Sequence, residues 1–513
     1  MKSQEILNLK INNDSNSSKS LFQLKNNIFL MKFYKITLLT FLSLCFFACE
    51  NDLDVTQKQA QTETDFLNNP DNAIQLVNGV YNKQLDYNMY SFSWIGITSI
   101  TSDDADKGSS LSDTGSDKHK LDNLTFDASD ISFQDVWNGR YEGIYRANNA
   151  LFYLEQLSIN ETLKKRLIAE TKFLRALFYF DLVRCFGGVP IITQKIDIND
   201  SQTIAAIVYN RKTKEETYQQ IETDLLAAIE YLPLKGQYSS ADLGRATKGA
   251  AQGLLAKVYL YQNKWQLAYN LSGDVIGSSQ YGLLTNYASV WREVGENSLE
   301  SIYEVQATLT RGLVDYTNVQ SPRGTPDLGW GFNTPSTNLE AAYSANDVRK
   351  NATILYKDGG TLWDGFPTSQ GWNNPRYNYK AYQSQVAESW DGNKGNTAKN
   401  LRILKYSDML LIRAEAAYQL GFLPEALDRV NEIRTRAGLT DLVSITLQDI
   451  YKERRLEMAM EHDRWFDLVR TNQAFSAMQA VGKTFTIGTH EVFPIPNNEI
   501  IKSGNLLSQN FGY

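Results

Sequence analysis

Residues 401–438 predict two packed helices and constrain the fold more than any other segment. Apolar residues recur at helical spacing through residues 401–420, and a second apolar stripe beside them indicates a helix buried nearly all round. Gly421 ends this helix, because glycine enters the left-handed conformation without steric cost. Pro424 begins the next helix, and Gly438 ends it. Its predicted buried face comprises Ala426, Val430, Ile433 and Ala437, and its predicted solvent face comprises Glu425, Arg429, Glu432 and Arg436.

This pattern of small residues, an aromatic residue and a turn glycine resembles a tetratricopeptide helical hairpin. A weaker copy lies upstream, where Ala256 and Ala268 have the spacing of Ala414 and Ala426. Asn263 occupies the turn position of this copy. The two copies are far apart in the chain, so we expect a long insertion between them.

Helical periodicity and capping signals predict nine helices in all. The other seven are expected near residues 69–85, 133–157, 161–186, 213–232, 247–261, 264–276 and 446–470. Residues 301–306 alternate and predict a strand. Short connections favour antiparallel neighbours. The predicted fold class is mainly α, a solenoid of about four tetratricopeptide-like helix pairs with a large irregular, loop-rich subdomain.

The N-terminal region predicts a membrane-anchored protein. Residues 1–30 lack periodicity, and residues 31–48 combine two lysines with an apolar run of signal-peptide length. Residues 1–30 are therefore interpreted as a non-native upstream extension and residues 31–48 as a lipoprotein signal peptide. Cys49 is the predicted lipidation site, and an acylated cysteine would anchor the chain without spanning the bilayer.

Charge and composition exclude several classes of function. The chain carries a net charge of −7, which argues against binding nucleic acid or anionic lipid. Beyond the predicted signal peptide only Cys49 and Cys185 remain, so no intramolecular disulfide is expected. One internal cysteine and three scattered histidines provide no zinc pattern. We predict neither a metal site nor a cofactor.

Residues 281–400 differ from the rest of the chain. Glycine, proline, asparagine and aromatic residues dominate there, and helical spacing is absent except near residues 338–343. Five of the nine tryptophans fall in this segment, more than loops need for a core. The predicted organisation is an N-terminal helical part (49–280), a loop-rich ligand-binding insert (281–400) and C-terminal helical hairpins (401–513).

Two charged segments have structural and functional interpretations. Asp104, Asp106 and Gly108 lack calcium-loop spacing, so residues 102–106 are interpreted as a solvated loop. Residues 453–464 are interpreted as one helix carrying carboxylates, arginines and His462. Acid–base chemistry is conceivable there, but ion pairs at helix spacing are the preferred interpretation.

Several motifs together resemble the SusD/RagB family of surface lipoproteins, which bind nutrients and usually glycans. The matching segments are RALFYFDLVRCFGGVP (175–190), AKVYL (256–260), SIYEVQ (301–306), LKYSDMLLIRAEA (404–416), ERRLE (453–457), HDRWFDLVR (462–470) and HEVFPIP (490–496). The resemblance implies a non-enzymatic protein of the outer membrane, exposed at the cell surface. It also implies a SusC-like TonB-dependent transporter as partner, with an oligosaccharide as ligand.

Aromatic rings pack on the apolar faces of sugars, and neighbouring polar groups bind the hydroxyls. In the family the ligand site lies on the loop-rich face, with a contribution from the segment after the first helix. The predicted ligand-binding residues are therefore Trp94, Asp103, Asp104, Trp291, Trp330, Phe332, Trp363 and Trp372. Some of these tryptophans could instead pack the loops onto the solenoid.

Three alternatives stay open at this point. Some relatives in the family take peptides. A helical glycoside hydrolase would need two carboxylates facing each other across a cleft, for which Asp103, Asp104, Asp364 and Asp391 are candidates. A scaffold could use its helical groove for peptides.

Overall fold

The longest helices stack in chain order along a solenoid. The computed structural model describes residues 66, 69, 71–110 and 112–513, so residues 1–48 and Cys49 lie outside the described part. Within that part nine helices have at least twelve residues. They are α1 (Asp71–Lys83), α2 (Ile131–Gln156), α3 (Glu161–Phe186), α4 (Lys214–Tyr231), α5 (Lys248–Tyr261), α6 (Trp265–Gly277), α7 (Tyr406–Gln419), α8 (Leu423–Arg436) and α9 (Leu447–Met458).

Each helix from α1 to α8 packs against the next, and α9 packs against α7. Helices α6 and α7 are neighbours although more than a hundred residues separate them in the chain, because the segment between them leaves the stack and returns to it. Residues Phe66–Tyr513 form one compact unit. The mainly helical solenoid with an irregular subdomain is therefore confirmed.

The two predicted hairpins are equivalent in the structure. Ala256, Ala268, Ala414 and Ala426 are fully buried, where a larger side chain would separate the paired helices. Asn263 and Gly421 both adopt left-handed backbone at the turns, with φ of 56° and 82°. The capping box of Thr213 with Glu216 begins α4, as the sequence indicates.

Shorter elements fill the remaining chain. The short α-helices are Tyr87–Tyr90, Phe92–Ile95, Lys118–Asn123, Ser201–Thr203, Tyr316–Gln320, Thr337–Ala342, Val348–Thr353, Arg464–Arg470, Ala474–Ala480 and Asn497–Lys502. π-helical turns span Gly96–Ile100 and Ile204–Val208, and 3₁₀ turns span Lys235–Gln237, Ser240–Asp242, Tyr287–Trp291 and Glu293–Gly295. The strands are β1 (Ala105–Gly108), β2 (Ser301–Val305), β3 (Leu313–Val314), β4 (Phe332–Pro335), β5 (Ile354–Tyr356), β6 (Arg376–Asn378), β7 (Asn396–Thr397) and β8 (Leu401–Lys405).

The strands form four antiparallel pairs: β1–β4, β2–β8, β3–β7 and β5–β6. β2, near the start of the insert, pairs with β8, which follows the insert and directly precedes α7. The prediction that residues 401–405 are helical is therefore wrong. Buried β2 needs partners for its backbone N–H and C=O groups, and β8 supplies them.

The predicted helix over residues 446–470 is interrupted. Helix α9 ends at Met458, Met460 and His462 adopt left-handed backbone, and a new helix begins at Arg464. In one continuous helix Arg454 and Asp467 would be about 20 Å apart along the axis. In the structure the turn brings the Arg454 Nε atom to 2.7 Å from the Asp467 Oδ2 atom. A straight helix could not form this ion pair.

The prediction that Arg436 faces water is also wrong, because its guanidinium pairs with Glu300 and Glu457 inside the protein. Cys185 is a buried free thiol. Over the part of the chain that the structure describes, no helix is long and apolar enough to cross a bilayer. The same residues contain no cluster of side chains suited to hold a metal ion.

Candidate functional site

An open cleft of about 440 Å³ lies where the segment after α1 meets the insert. We name it the aromatic cleft. Its lining residues are Phe92, Asp113, Gly115, Ser116, Arg323, Asp327, Gly329, Trp330 and Phe332. Pairing of β1 with β4 builds it, because Gly108 opposes Phe332 and so places the loop after β1 beside the insert.

Three aromatic rings form the apolar wall of the aromatic cleft. The ring centroids of Phe92 and Phe332 are 4.6 Å apart, and those of Phe92 and Trp330 are 5.7 Å apart. Phe92 and Phe332 are largely buried, whereas Trp330 is half-buried and offers part of its indole to solvent. This arrangement presents a fixed aromatic surface at the bottom of an open space.

Close packing fixes the position of Phe332. Gly115 has a φ of 60°, and a Cβ atom built on it would lie 2.5 Å from the Phe332 ring. Any side chain at this position would therefore displace the ring. Lys118 packs over the other ring, with its Nζ atom 4.2 Å from the Phe92 centroid.

Polar groups line the rim of the aromatic cleft. The Arg323 guanidinium pairs with Asp113 at 2.5 Å and donates to the Ser109 hydroxyl at 2.8 Å. Burial raises the pKa of Asp113, but the Gly115 backbone N–H, Arg323 and Ser109 outweigh it and hold the pKa below its ordinary value. Asp327 pairs with Lys394 at 2.9 Å. Each rim charge is thus matched by an opposite charge.

Six of the eight predicted ligand-binding residues are buried: Trp94, Asp103, Asp104, Trp291, Phe332 and Trp372. Of these six, only Phe332 lines the aromatic cleft. The interpretation of residues 102–106 as a solvated loop is wrong for Asp103 and Asp104, because Asp103 pairs with Arg464 and Asp104 with Arg455, whereas Asp106 is exposed on β1. Burial raises the pKa of Asp103, and the Arg464 guanidinium more than offsets this and lowers it.

The three buried indoles have structural contacts. The Arg140 guanidinium lies 4.1 Å from the Trp94 ring centroid, and the ammonium groups of Lys380 and Lys405 lie within 5 Å of the Trp291 centroid. The Trp372 indole N–H donates to the Pro326 carbonyl oxygen at 2.9 Å. Trp94 therefore packs against helix α2, whereas Trp372 packs within the insert, against Tyr377.

Among the predicted residues, the structure brings Trp330 and Phe332 together in the aromatic cleft. Trp363 is 45% exposed but lies elsewhere on the insert, beside Arg292 and Tyr379. Sequence reasoning missed Phe92, Asp113, Arg323 and Asp327. Phe92 is two residues from Trp94 on the segment already singled out, and that proximity was the available signal.

The ion pairs of residues 453–464 join different elements instead of neighbouring turns of one helix. Arg454 pairs with Asp408 of α7 and with Asp467, and Arg455 pairs with Asp104. His462 is buried and its Nε2 atom lies 3.0 Å from the Tyr316 hydroxyl. Acid–base chemistry needs an accessible pair of groups, and these groups hold elements together.

Comparison with known proteins gives consistent matches over the chain. Residues 52–260 match a family model described as starch-binding and associating with the outer membrane, and residues 308–513 match the model of the SusD family. A SusD-like protein of Bacteroides ovatus is 30% identical over 381 residues, covering 67% of this chain and 66% of the relative. The starch-binding protein SusD of Bacteroides thetaiotaomicron is 27% identical, covering 71% of this chain and 76% of that protein.

A solved structure extends the similarity to the fold. A laminarin-binding SusD-like protein superposes with a TM-score of 0.73 at 30% identity. The superposition covers 87% of this chain and 100% of that one.

Proposed function

Because the chain belongs to the SusD/RagB family, we propose that it captures a neutral glycan at the cell surface and delivers it to a SusC-like TonB-dependent transporter. The protein acts without catalysis, as a binding protein. The lipid on Cys49 holds it on the outer membrane. The aromatic cleft is the observation that supports this proposal most strongly.

The wall of the aromatic cleft suits a sugar ring. A pyranose has an apolar face of C–H groups, which packs on an aromatic ring, and hydroxyls that need hydrogen-bond partners around it. Trp330 supplies an accessible indole, and Phe92 packs against both Trp330 and Phe332. Asp113, Arg323 and Ser116 stand at the rim, within the same lining, to bind hydroxyls.

The charges of the rim favour a neutral ligand over an acidic one. Arg323 is the cation of the lining, and Asp113 already neutralises it. Asp327 adds a second carboxylate to the lining, and its ion pair with Lys394 is exposed to solvent. A uronate or sulfate group entering the cleft would meet the carboxylates of Asp113 and Asp327, and the lining residues include no unpaired cation. The nearby Lys107 ammonium donates to the Ser110 and Asp113 carbonyl oxygens, and the net charge of −7 adds to the repulsion.

The relatives indicate which neutral glycan to test first. One relative with 30% identity across the solved chain is named for binding laminarin, and another is named for binding starch. We propose a laminarin-type glucan as the ligand, with starch as the second candidate.

None of the four carboxylates considered for a glycoside hydrolase lines the aromatic cleft. Such enzymes place two carboxyl groups about 5–9 Å apart across the substrate. Asp103 and Asp104 are buried in ion pairs. Asp364 accepts a hydrogen bond from the Tyr382 hydroxyl at 2.7 Å, and neither it nor Asp391 lines the aromatic cleft.

Affinity electrophoresis in native gels tests the ligand class. Gels containing laminarin, starch, alginate or no polysaccharide should show retardation with a neutral glucan and none with alginate. Retardation by alginate alone would refute the neutral-glycan proposal. Release of reducing ends from laminarin would refute the binding-only function.

A further inference from the structure

A second concave surface of about 580 Å³ lies along α2. We name it the tyrosine groove. It is lined by Asn88, Trp137, Asn138, Tyr141, Glu142, Ile144, Tyr145, Asn148, Ile192, Gln194, Ile196, Val208, Tyr209, Glu499 and Leu507. Its volume falls in the range of ordinary ligand sites, roughly 300–1,000 Å³.

Aromatic side chains of α2 form one wall of the tyrosine groove. Trp137 is buried at its base, with its ring centroid 4.8 Å from that of Tyr141. The Tyr141 hydroxyl donates to the Pro190 carbonyl oxygen at 2.8 Å, which fixes the position of this ring. Tyr145, one turn further along α2, is 56% exposed. Half-buried Tyr209 lies among the lining residues contributed by the α3–α4 connection.

The polar groups of the tyrosine groove are largely uncharged and available. Among the described residues, no protein partner is found for the hydroxyls of Tyr145 and Tyr209, the Gln194 amide, or the amide nitrogens of Asn88 and Asn138. Hydroxyls and amides that donate and accept suit sugar hydroxyls.

The two carboxylates of the groove are already matched. Glu142 pairs with Lys83 at 2.6 Å and with Arg146 at 2.7 Å. Glu499 pairs with Lys502 at 2.7 Å. The groove therefore offers aromatic surface and neutral hydrogen-bonding groups, with no unpaired charge to attract an ionic ligand.

The tyrosine groove lies next to the aromatic cleft. Asn88 lines the groove and Phe92 lines the cleft, so the two sites share one short stretch of chain. Four residues span at most about 14 Å even when fully extended. Ser93, the residue after this stretch, donates to Asp135 of α2 at 2.6 Å and so ties the stretch to the helix that forms the groove.

We propose that the tyrosine groove is a second subsite for the same glucan chain that the aromatic cleft holds. This second-subsite proposal rests on the proposed function. A chain long enough to leave the aromatic cleft reaches the groove at half-buried Asn88 and packs on Tyr145. Short oligosaccharides fill the cleft alone. The groove thereby selects long chains over short ones.

Isothermal titration with laminarin and with laminaritriose tests this proposal. Tyr145→Ala removes an exposed ring without a hydrogen-bond partner among the described residues, so its fold should be unchanged. We expect it to weaken laminarin binding about fivefold and to leave laminaritriose binding unchanged. Adding Tyr209→Ala should bring the loss for laminarin to tenfold or more. Tyr231→Ala, 41% exposed on α4 and outside both sites, is the matched control.

The outcomes separate the two proposals. Laminarin binding by the Tyr145→Ala protein within twofold of wild type would overturn the second subsite while the proposed function stands. An equal loss for laminarin and laminaritriose would also overturn it, because the groove would then not discriminate by length. Failure of the wild-type protein to bind either glucan would refute the proposed glucan ligand itself.

Discussion

Arg464 holds Asp103 through two parallel hydrogen bonds, Nε to Oδ1 and Nη2 to Oδ2, each 2.8 Å long. The two residues are 361 positions apart in the chain. Asp103 lies two residues before the start of β1, which pairs with β4 and so builds the aromatic cleft. This buried pair therefore joins the C-terminal helices to the segment that positions the site.

Asp103→Ala should destabilise the protein by about 3–5 kcal/mol, because it leaves the Arg464 charge without its bidentate partner. Urea unfolding measures this. Asp327→Ala is the control, since Asp327 and Lys394 are both exposed and such pairs contribute about 1 kcal/mol or less. A loss below 1 kcal/mol for Asp103→Ala would show that the pair does not hold the segment.

Trp330→Ala should reduce affinity for laminarin at least tenfold, because it removes the accessible ring of the aromatic cleft. Trp363→Ala is the matched control: this indole is exposed, but it lies outside the cleft. Isothermal titration of both variants measures the difference. Equal losses would mean that the site extends over the insert, and a loss confined to Trp363→Ala would move the site there.

Stability should fall as the pH decreases from 6.5 to 4, through the titration of His462. Burial, only partly offset by Asp463, lowers the pKa of His462 to about 4. In that interval the unfolded chain binds a proton on His462 that the folded protein does not bind. The contribution of neutral His462 to the free energy of unfolding is therefore complete above pH 6.5 and is lost progressively as the pH falls to 4.

His462→Asn tests this assignment, because asparagine tolerates the left-handed backbone at this position. Between pH 7.5 and 4.5 the wild-type protein should lose roughly 2–3 kcal/mol more unfolding free energy than the variant. Urea titrations at the two pH values give the difference. Identical losses would show that other groups carry the acid sensitivity.

Cys49→Ala should release the protein from membranes, because acyl chains on this residue are the proposed anchor. Fractionation of cells expressing wild type and variant, with labelled palmitate, measures attachment. Cys185→Ala is the control, since Cys185 is buried and burial raises its pKa to about 12. A Cys49→Ala protein that still sediments with membranes would contradict the anchor.

Periodicity predicts most of the helical frame because each helix buries a regular face. The sequence also predicts that Asn263 and Gly421 occupy equivalent turn positions, because both residue types tolerate the left-handed backbone that these turns adopt. The break after Met458 could not, because no glycine or proline marks it. The pairing of Arg454 with Asp467 determines it, and that contact exists only in the folded chain.

The candidate site could be predicted from the sequence as a region but not residue by residue. The tryptophan-rich insert and the segment after α1 do meet in the aromatic cleft. Sequence cannot tell which tryptophans are exposed, because burial depends on distant partners such as the Pro326 carbonyl for Trp372. The same applies to Asp103, which the sequence presents as a loop carboxylate and the fold pairs with Arg464.

The most direct test of the central claim is calorimetric titration of laminarin into the wild-type protein and the Trp330→Ala variant side by side. Saturable binding by the wild type and at least tenfold weaker binding by the variant are expected, with both proteins equally stable to urea. No binding by the wild-type protein, or equal binding by both, would contradict it.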